Sequence, residues 1–150
     1  DIKSRIDSGG LPGVHYNLFQ NPNIPSSIEH DLVKSGKISE NTALEKKTLN
    51  PDTVSHIYHN SKHRVSIVGA LTHKNATDSI LRHAATKETY QGAVANHPKT
   101  PVDVLSDLSK SKHDFIRANI AGNKNTPKEV IENLKEDPSE EVSSIAKKRK

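Results

Sequence analysis

The sequence contains no cysteine, methionine or tryptophan, and only 3% of its residues are aromatic. Without cysteine the chain forms no disulfide and offers no thiol for catalysis or metal binding. No apolar run approaches the roughly 20 residues that span a membrane, and no signal-peptide core is present. We therefore expect no membrane partner and a location inside the cell, in the cytoplasm.

The chain also has few hydrophobic residues, which make up 31% of its 150 positions. That length predicts one domain. The composition is too lean for the thick core of a sandwich or a doubly wound fold, but it suits helical repeats, which need only thin apolar seams. The first residue is Asp rather than Met, which indicates a processed chain or a domain cut from a longer protein.

A stretch that combines a turn, a threonine, a proline and an amphipathic helix occurs twice in the second half of the chain. Thr100 and Thr126 are predicted to cap these helices by accepting hydrogen bonds from first-turn N–H groups. Pro101 and Pro127 are predicted to occupy the first helical position, where no N–H is needed.

Weaker copies of the stretch precede these two. Aligned on the residue after the predicted cap, the copies begin 24 to 28 residues apart, at Pro25, Thr53, Thr77, Pro101 and Pro127. A second short apolar run precedes each copy, so each unit is predicted to be a pair of helices. A period of this length with two apolar patches indicates a stack in which neighbouring units bury each other's faces.

The run from 94 to 105, Val-Ala-Asn-His-Pro-Lys-Thr-Pro-Val-Asp-Val-Leu, resembles the variant leucine-rich repeat, which is similar in appearance to HEAT-type repeats. The resemblance is specific over 89–147 and loose over 49–88. It implies an all-α fold, a right-handed α-solenoid of about five short two-helix repeats. The cysteine-ligated iron–sulfur cluster of some members does not carry over to a chain without cysteine.

On this basis we divide the chain into an entry segment at 1–12, a solenoid at 13–146 with an irregular insertion near 35–48, and a basic tail at 147–150 that is predicted to fray. Val65, Val68 and Leu71 lie at helical spacing and are predicted to form one apolar stripe. His56 falls where other copies hold an apolar residue, so either the register shifts there or this histidine points inward.

Nine histidines are a large number for this length. His56, His59 and His63 lie at i, i+3 and i+7, a spacing at which one helical face would present all three to zinc, copper or nickel. These are weak metal candidates, because no cysteine and no His-Glu-x-x-His completes a site and Asn60-Ser61-Lys62 is predicted to end the helix. Solvent-facing or partly packed histidines are the favoured interpretation.

His73 and His97 occupy the same turn position in consecutive repeats, where Asn21 and Asn123 stand in other copies. A side chain that accepts a hydrogen bond within the turn explains this pattern, and we favour that explanation. The alternative is ligand contact along one edge of the stack.

Positive charge is concentrated in the middle of the chain, where residues 51–100 hold six Lys/Arg against three Asp/Glu. The candidate binding cations lie in or near the linkers and helices of successive repeats: Lys62, Arg64, Lys87, Arg82, Lys112 and Arg117. A basic stripe of this kind can follow a phosphate backbone. The scarcity of aromatic residues argues against base stacking.

No nucleophile elbow, phosphate loop or paired catalytic carboxylates occur in the sequence, so we expect no enzyme activity and no cofactor. The favoured function is a binding or scaffold module whose repeat surface holds a partner protein. The alternative is nucleic-acid binding through the basic middle repeats, and a third hypothesis is a structural module of a larger assembly.

Overall fold

The computed structural model describes residues 13–150, and this part of the chain is helical, with eleven helices and no strand. The all-α prediction is confirmed, whereas the predicted entry segment at 1–12 lies outside the described residues. The helices are α1 (Val14–Gln20), α2 (Ser26–Lys34), α3 (Glu40–Glu45), α4 (Pro51–Asn60), α5 (Arg64–Thr72), α6 (Asp78–Ala85), α7 (Glu88–Asn96), α8 (Val102–Leu108), α9 (Asp114–Gly122), α10 (Lys128–Leu134) and α11 (Glu140–Lys147).

The chain forms two compact units, unit 1 up to Asn75 and unit 2 from Ala76 onward. In unit 1, α5 packs on α3 and α4, and α2 packs on α1 and α4. In unit 2, α9 packs between α7 and α11 and also contacts α8 and α10, while α6 contacts α7 and α8. Each unit is therefore built from short neighbouring helices rather than around one central element.

The buried side chains form thin seams between these helices. In unit 1, Phe19, Leu49 and Leu71 are fully buried, and Leu105 and Ile120 are fully buried in unit 2. At about 1.5–3 kcal/mol for each large side chain removed from water, such seams supply the main favourable term in folding. The lean composition suffices because each helix buries only one stripe.

The threonine–proline turns differ from the prediction. The Thr100 and Thr126 hydroxyls accept no capping bond from α8 or α10. Each donates instead, at 2.6 Å, to a carbonyl of the preceding helix, Val94 O and Ile120 O respectively. Buried hydroxyls need a partner, and the two carbonyls at the helix ends can accept a second hydrogen bond beside the one from the His97 or Asn123 N–H. The two helices consequently begin one residue after Pro101 and Pro127, which lie at the N-cap position rather than the first helical position.

The structure also shows the position of His56 and the conformation of residues 35–48, both in unit 1. Asn50 caps α4 by accepting a hydrogen bond from the Asp52 N–H, so α4 begins earlier than the repeat alignment predicts and His56 is half-buried rather than inside. The stretch predicted to be irregular near 35–48 contains the short helix α3, which Ser39 caps through the Thr42 N–H. Gly36, with φ of 73°, supplies the left-handed turn before it.

Polar side chains connect each turn to the turn one repeat earlier. In unit 2, Asn123 Nδ2 donates to Ala95 O at 2.8 Å and to His97 O at 2.9 Å, and Asn125 Nδ2 donates to Pro98 O. In unit 1, the His73 Nε2–H donates to Lys46 O at 3.1 Å. We call this set of side chain-to-carbonyl bonds the turn ladder. It holds successive turns directly against each other.

The basic tail takes part in the turn ladder, so the prediction that it frays is wrong for Arg149. Arg149 Nη1 donates to Ala121 O and Asn123 O, both at 2.8 Å, and Nη2 donates to Lys124 O at 3.4 Å. The turns at 97–99 and 123–125 and the tail at 148–150 are thus fixed at one edge of the unit, which we call the turn edge of unit 2.

Candidate functional site

Three of the six candidate binding cations hold carboxylates of their own unit. Arg82 forms a bidentate ion pair with Asp103, at 2.5 and 3.0 Å. Lys112 lies 3.1 Å from Glu88, whose carboxylate also accepts a 2.5 Å hydrogen bond from His113. The His113 and Lys112 hydrogen bonds hold the pKa of Glu88 below its usual range. A phosphate would therefore have to compete with a carboxylate already in place.

Arg117 is the most constrained of the three. Its Nε and Nη2 donate to the two Asp137 oxygens at 2.8 and 3.0 Å, and its Nη1 donates to Ser111 O at 2.8 Å. The two side chains are only 15% and 6% exposed. The Arg117 hydrogen bond lowers the pKa of Asp137, and the N–H of Ser139 adds to this effect. The geometry gives Arg117 a structural role that connects the linker before α9 with the one after α10.

The other three candidate cations, Lys62, Arg64 and Lys87, are exposed and have no ion-pair or hydrogen-bond partner for their side chains within residues 13–150. Lys62 and Arg64 lie on either side of His63, at the entry to α5, and Lys87 directly precedes α7. These three side chains are available to an external anion. No signal in the sequence separates them from the paired cations.

His73 and His97 lie in turns, as predicted, and both are buried, at 7% and 3% exposed. His73 Nδ1 accepts a hydrogen bond from the Asn75 N–H, and His97 Nδ1 accepts one from the Lys99 N–H. Asn21 and Asn123 accept the same bond through their side-chain oxygens. The explanation by turn geometry is thus confirmed for the hydrogen bonds, and ligand contact by these histidines stays a prediction.

The weak metal candidates are not grouped. His63 is the N-cap residue of α5 rather than part of α4, and across the described residues no three His, Asp or Glu side chains come together in a way that would hold a metal ion. His56 instead lies with its ring 5.0 Å from that of His30. Burial, followed by the charges of His30 and Lys34, lowers the pKa of His56.

Unit 1 contains two adjoining hollows along α3 and α5. The first, of about 710 Å³, is lined by residues that include Lys34, Glu40 and His63, and the second, of about 600 Å³, by residues that include Leu44 and Gly69. Asn41 and Val65 line both hollows. We call the two together the α3–α5 groove. Each hollow lies within the 300–1,000 Å³ range typical of binding sites.

Val65 separates the two hollows, and its position is the main feature that sequence patterning missed. It was predicted to share an apolar stripe with Val68 and Leu71, and within that stripe Leu71 is fully buried whereas Val65 is 75% exposed. In unit 2 Phe115 is the second residue of α9, as Val65 is of α5, and is 54% exposed. Single exposed apolar residues are normal on protein surfaces, and what distinguishes Val65 is that it lines both hollows.

The groove combines apolar and cationic side chains. Lys34 lines the first hollow, and Lys47 and Lys74 line the second. The groove carboxylate Glu40 already accepts a 2.7 Å hydrogen bond from Ser61 Oγ. Such a surface provides contact area for an apolar side chain and positive charge for an anionic neighbour.

No protein-family model matches the chain, and no curated protein and no solved structure shows significant similarity to it. Among the helices that the structure describes, none is long and apolar enough to cross a membrane.

Proposed function

We propose that the chain is a non-catalytic binding module, a right-handed α-solenoid similar to the variant leucine-rich repeat, which holds a partner protein. The observation that carries the proposal is the α3–α5 groove with the 75% exposed Val65 between its two hollows. An open groove of two linked hollows suits an extended segment, which places alternate side chains in successive depressions.

The proposed occupant is an acidic, extended segment of the partner with an apolar residue against Val65. Charge supports this choice. Lys34, Lys47 and Lys74 line the groove, and Lys62 and Arg64 flank its residue His63, which makes five cations against the two carboxylates Glu40 and Glu45. This excess of positive charge would speed the association of an acidic segment and fix its register in the groove. The apolar anchor would provide most of the affinity.

The test is selection of a phage-displayed peptide library on the immobilised chain, followed by affinity measurements for the selected peptides. The matched variants are Val65→Asp, in the groove, and Val102→Asp, an equally simple change at a 54% exposed valine of unit 2. We expect the selected peptides to be rich in Asp and Glu, and Val65→Asp to weaken them about tenfold or more, as loss of an interface anchor does. Val102→Asp should leave binding unchanged.

Two outcomes would contradict the proposal. One is a library that yields no binders, and the other is a set of peptides that bind the Val65→Asp and wild-type chains equally well. Because both valines are exposed, circular dichroism should show that the two variants are folded.

The alternative of nucleic-acid binding through the middle repeats has less support, because Arg82, Lys112 and Arg117 pair with carboxylates. Arg64→Glu remains a clean test of it, since Arg64 is exposed and unpaired within the described chain. Arg117→Glu would break an intramolecular ion pair and would not separate binding from folding.

A further inference from the structure

The turn edge of unit 2 carries a row of lysines that the proposed groove in unit 1 does not use. Lys99, Lys124, Lys148 and Lys150 are all exposed. Their side chains form no ion pair within residues 13–150. In the sequence, Lys148 and Lys150 belong to the basic tail, whereas Lys99 and Lys124 are isolated lysines 25 residues apart, and no local signal connects them with the tail.

The turn ladder brings these lysines to one edge. Asn123 ties the 123–125 turn to the carbonyls of Ala95 and His97, and Arg149 ties the tail to those of Ala121 and Asn123. The backbone near Lys99, Lys124 and Lys148 is therefore held in successive positions along this edge, and Lys150 directly follows Arg149. Packed helices lie 8–10 Å apart, so three successive turns extend over roughly 20 Å.

The acidic residues closest in sequence to these turns do not neutralise the positive charge of the four lysines. Asp103, in the first turn of α8, is held by both Nη atoms of Arg82. Glu129, in the first turn of α10, is an exposed carboxylate. Ile131, two positions further along the chain, is buried. Arg149 keeps its charge while it donates to carbonyl oxygens, so four lysines and Arg149 against one unpaired carboxylate leave a net charge of about +4 at the edge.

We propose that the turn edge of unit 2 binds the phosphate backbone of nucleic acid without reading its sequence. Duplex DNA presents one negative charge per about 1.7 Å of its axis, so an edge of roughly 20 Å faces several phosphates at once. The turns 97–99 and 123–125 and the tail at 148–150 contain no Phe, Tyr or Trp for stacking on bases, and His97 is buried. Recognition therefore rests on charge and spacing alone. This proposal is independent of the α3–α5 groove.

The experiment is fluorescence anisotropy of the full chain with a labelled 16-base-pair DNA duplex, titrated from about 50 to 200 mM salt. With four lysines engaged, log K should fall with log salt at a slope between about −3 and −4. Lys99→Gln/Lys124→Gln should weaken binding at least tenfold at 50 mM salt and reduce the slope by about 2.

The matched control is Lys110→Gln/Lys135→Gln, which removes the same amount of charge from the opposite connections of unit 2, at the exposed Lys110 and at Lys135, which pairs with Glu132. We expect the slope and affinity of this variant to match the wild type. A loss equal to that of Lys99→Gln/Lys124→Gln would overturn the proposal by showing attraction to net charge only. Absence of binding to the duplex at 50 mM salt would overturn it as well.

A further binding experiment distinguishes nucleic acid from a lipid surface, which presents similar phosphate groups. Vesicles of phosphatidylcholine with one-third phosphatidylserine replace the duplex. Binding to the vesicles but not to the duplex would overturn the proposal, whereas preference for the duplex supports it. Circular dichroism of each variant checks folding, and the groove variant Val65→Asp should bind the duplex normally.

Discussion

The side chain of Asn123 makes three hydrogen bonds in this protein. Its oxygen accepts the Asn125 N–H within its own turn, and its Nδ2 donates to Ala95 O and His97 O of the turn before. Asn123 is only 5% exposed. If its side chain were removed, water could not easily reach the groups that it bonds and take its place. No buried side-chain nitrogen or oxygen in the described residues is left without a partner.

We predict that Asn123→Ala lowers the free energy of unfolding by about 1–3 kcal/mol, because it removes the side-chain partner of the buried Ala95 carbonyl and of the Asn125 N–H. Urea denaturation followed by circular dichroism measures this change. Asn133→Ala, at an exposed position of α10, is the matched control and should change stability by less than about 0.5 kcal/mol.

Asn123→His should retain more stability than Asn123→Ala. At the corresponding position in unit 1, the His73 Nε2–H donates to Lys46 O and His73 Nδ1 accepts the Asn75 N–H. A histidine can therefore perform both the accepting and the donating task. Equal losses for the two Asn123 variants would contradict this explanation of the turn ladder.

Asp137 should make the stability of the chain depend on pH in the acid range. Its folded-state pKa is lowered, chiefly by the hydrogen bond from Arg117. A lowered folded-state pKa means that the stabilisation is complete above the ordinary Asp pKa of about 4 and is lost as pH falls through the folded-state value. We predict that Asp137→Asn costs about 1–3 kcal/mol at pH 7 and progressively less below pH 4.

Urea denaturation of the wild type and Asp137→Asn between pH 7 and pH 2.5 tests this prediction. Asp103→Asn is the control, because the Asp103–Arg82 pair is exposed to solvent, at 65% and 47% for the two side chains, and exposed pairs contribute little. If the difference in free energy of unfolding between the wild type and Asp137→Asn stays constant down to pH 2.5, then Asp137 does not cause the acid dependence of stability.

At the scale of elements, close approach between short helices decides which residues are tolerated at their contacts. Gly69 lies on α5 where a Cβ atom would come within 2.9 Å of Leu44 Cδ1 on α3. Gly92 lies on α7 where a Cβ atom would be 3.4 Å from Phe115 Cε2 on α9. The first distance requires Leu44 to move, whereas the second is close to ordinary contact and the Phe115 ring is half exposed.

We predict that Gly92→Ala raises the free energy of unfolding by up to about 1 kcal/mol, because alanine favours the helix and reduces the entropy of the unfolded chain. Gly69→Ala should gain less or lose stability, since displacement of Leu44 offsets the helical preference. The urea midpoints of the two variants provide the comparison. A larger gain for Gly69→Ala would show that α3 and α5 are not in close contact there.

The helices themselves were largely predictable, because the periodicity of apolar residues is a local property of the sequence. Ser39 caps α3 through the Thr42 N–H, as its residue type favours at a helix start. Thr100 was not predicted correctly, because both its hydroxyl hydrogen and its oxygen lone pairs can bond, and only the carbonyl of Val94 in the folded chain decides which of them does.

At the scale of the whole molecule, the interactions that hold each unit together join residues close in sequence. The ion pairs Arg82–Asp103 and Arg117–Asp137 join residues 21 and 20 positions apart, and the turn ladder joins residues 25 to 28 apart. Loops of this length close quickly, and helical proteins with such local contacts fold in microseconds to milliseconds.

We therefore predict that the main refolding phase of the chain is complete within milliseconds after dilution from urea. Stopped-flow circular dichroism at 222 nm measures it and suits a chain without tryptophan. A dominant phase that lasts seconds would contradict the prediction, because it would indicate that folding depends on contacts between residues far apart in the sequence.

The candidate sites show where prediction from sequence ends. The sequence identified Arg64 and Arg117 as equivalent cations, yet one is exposed and the other is buried against Asp137. It placed Val65 in one apolar stripe with Leu71, yet Val65 is 75% exposed and Leu71 is fully buried. The identity of a residue does not reveal its partner when that partner lies 20 or more positions away.

The sequence by itself determined the helical class, the alternation of short helices with turns, and the absence of thiol chemistry, since these depend on residue type and local spacing. The tertiary structure alone decided which cations are paired, which valine is exposed and which lysines share an edge. The physical reason is that local hydrogen bonding forms the helices, whereas packing between helices determines which side chains remain in contact with water.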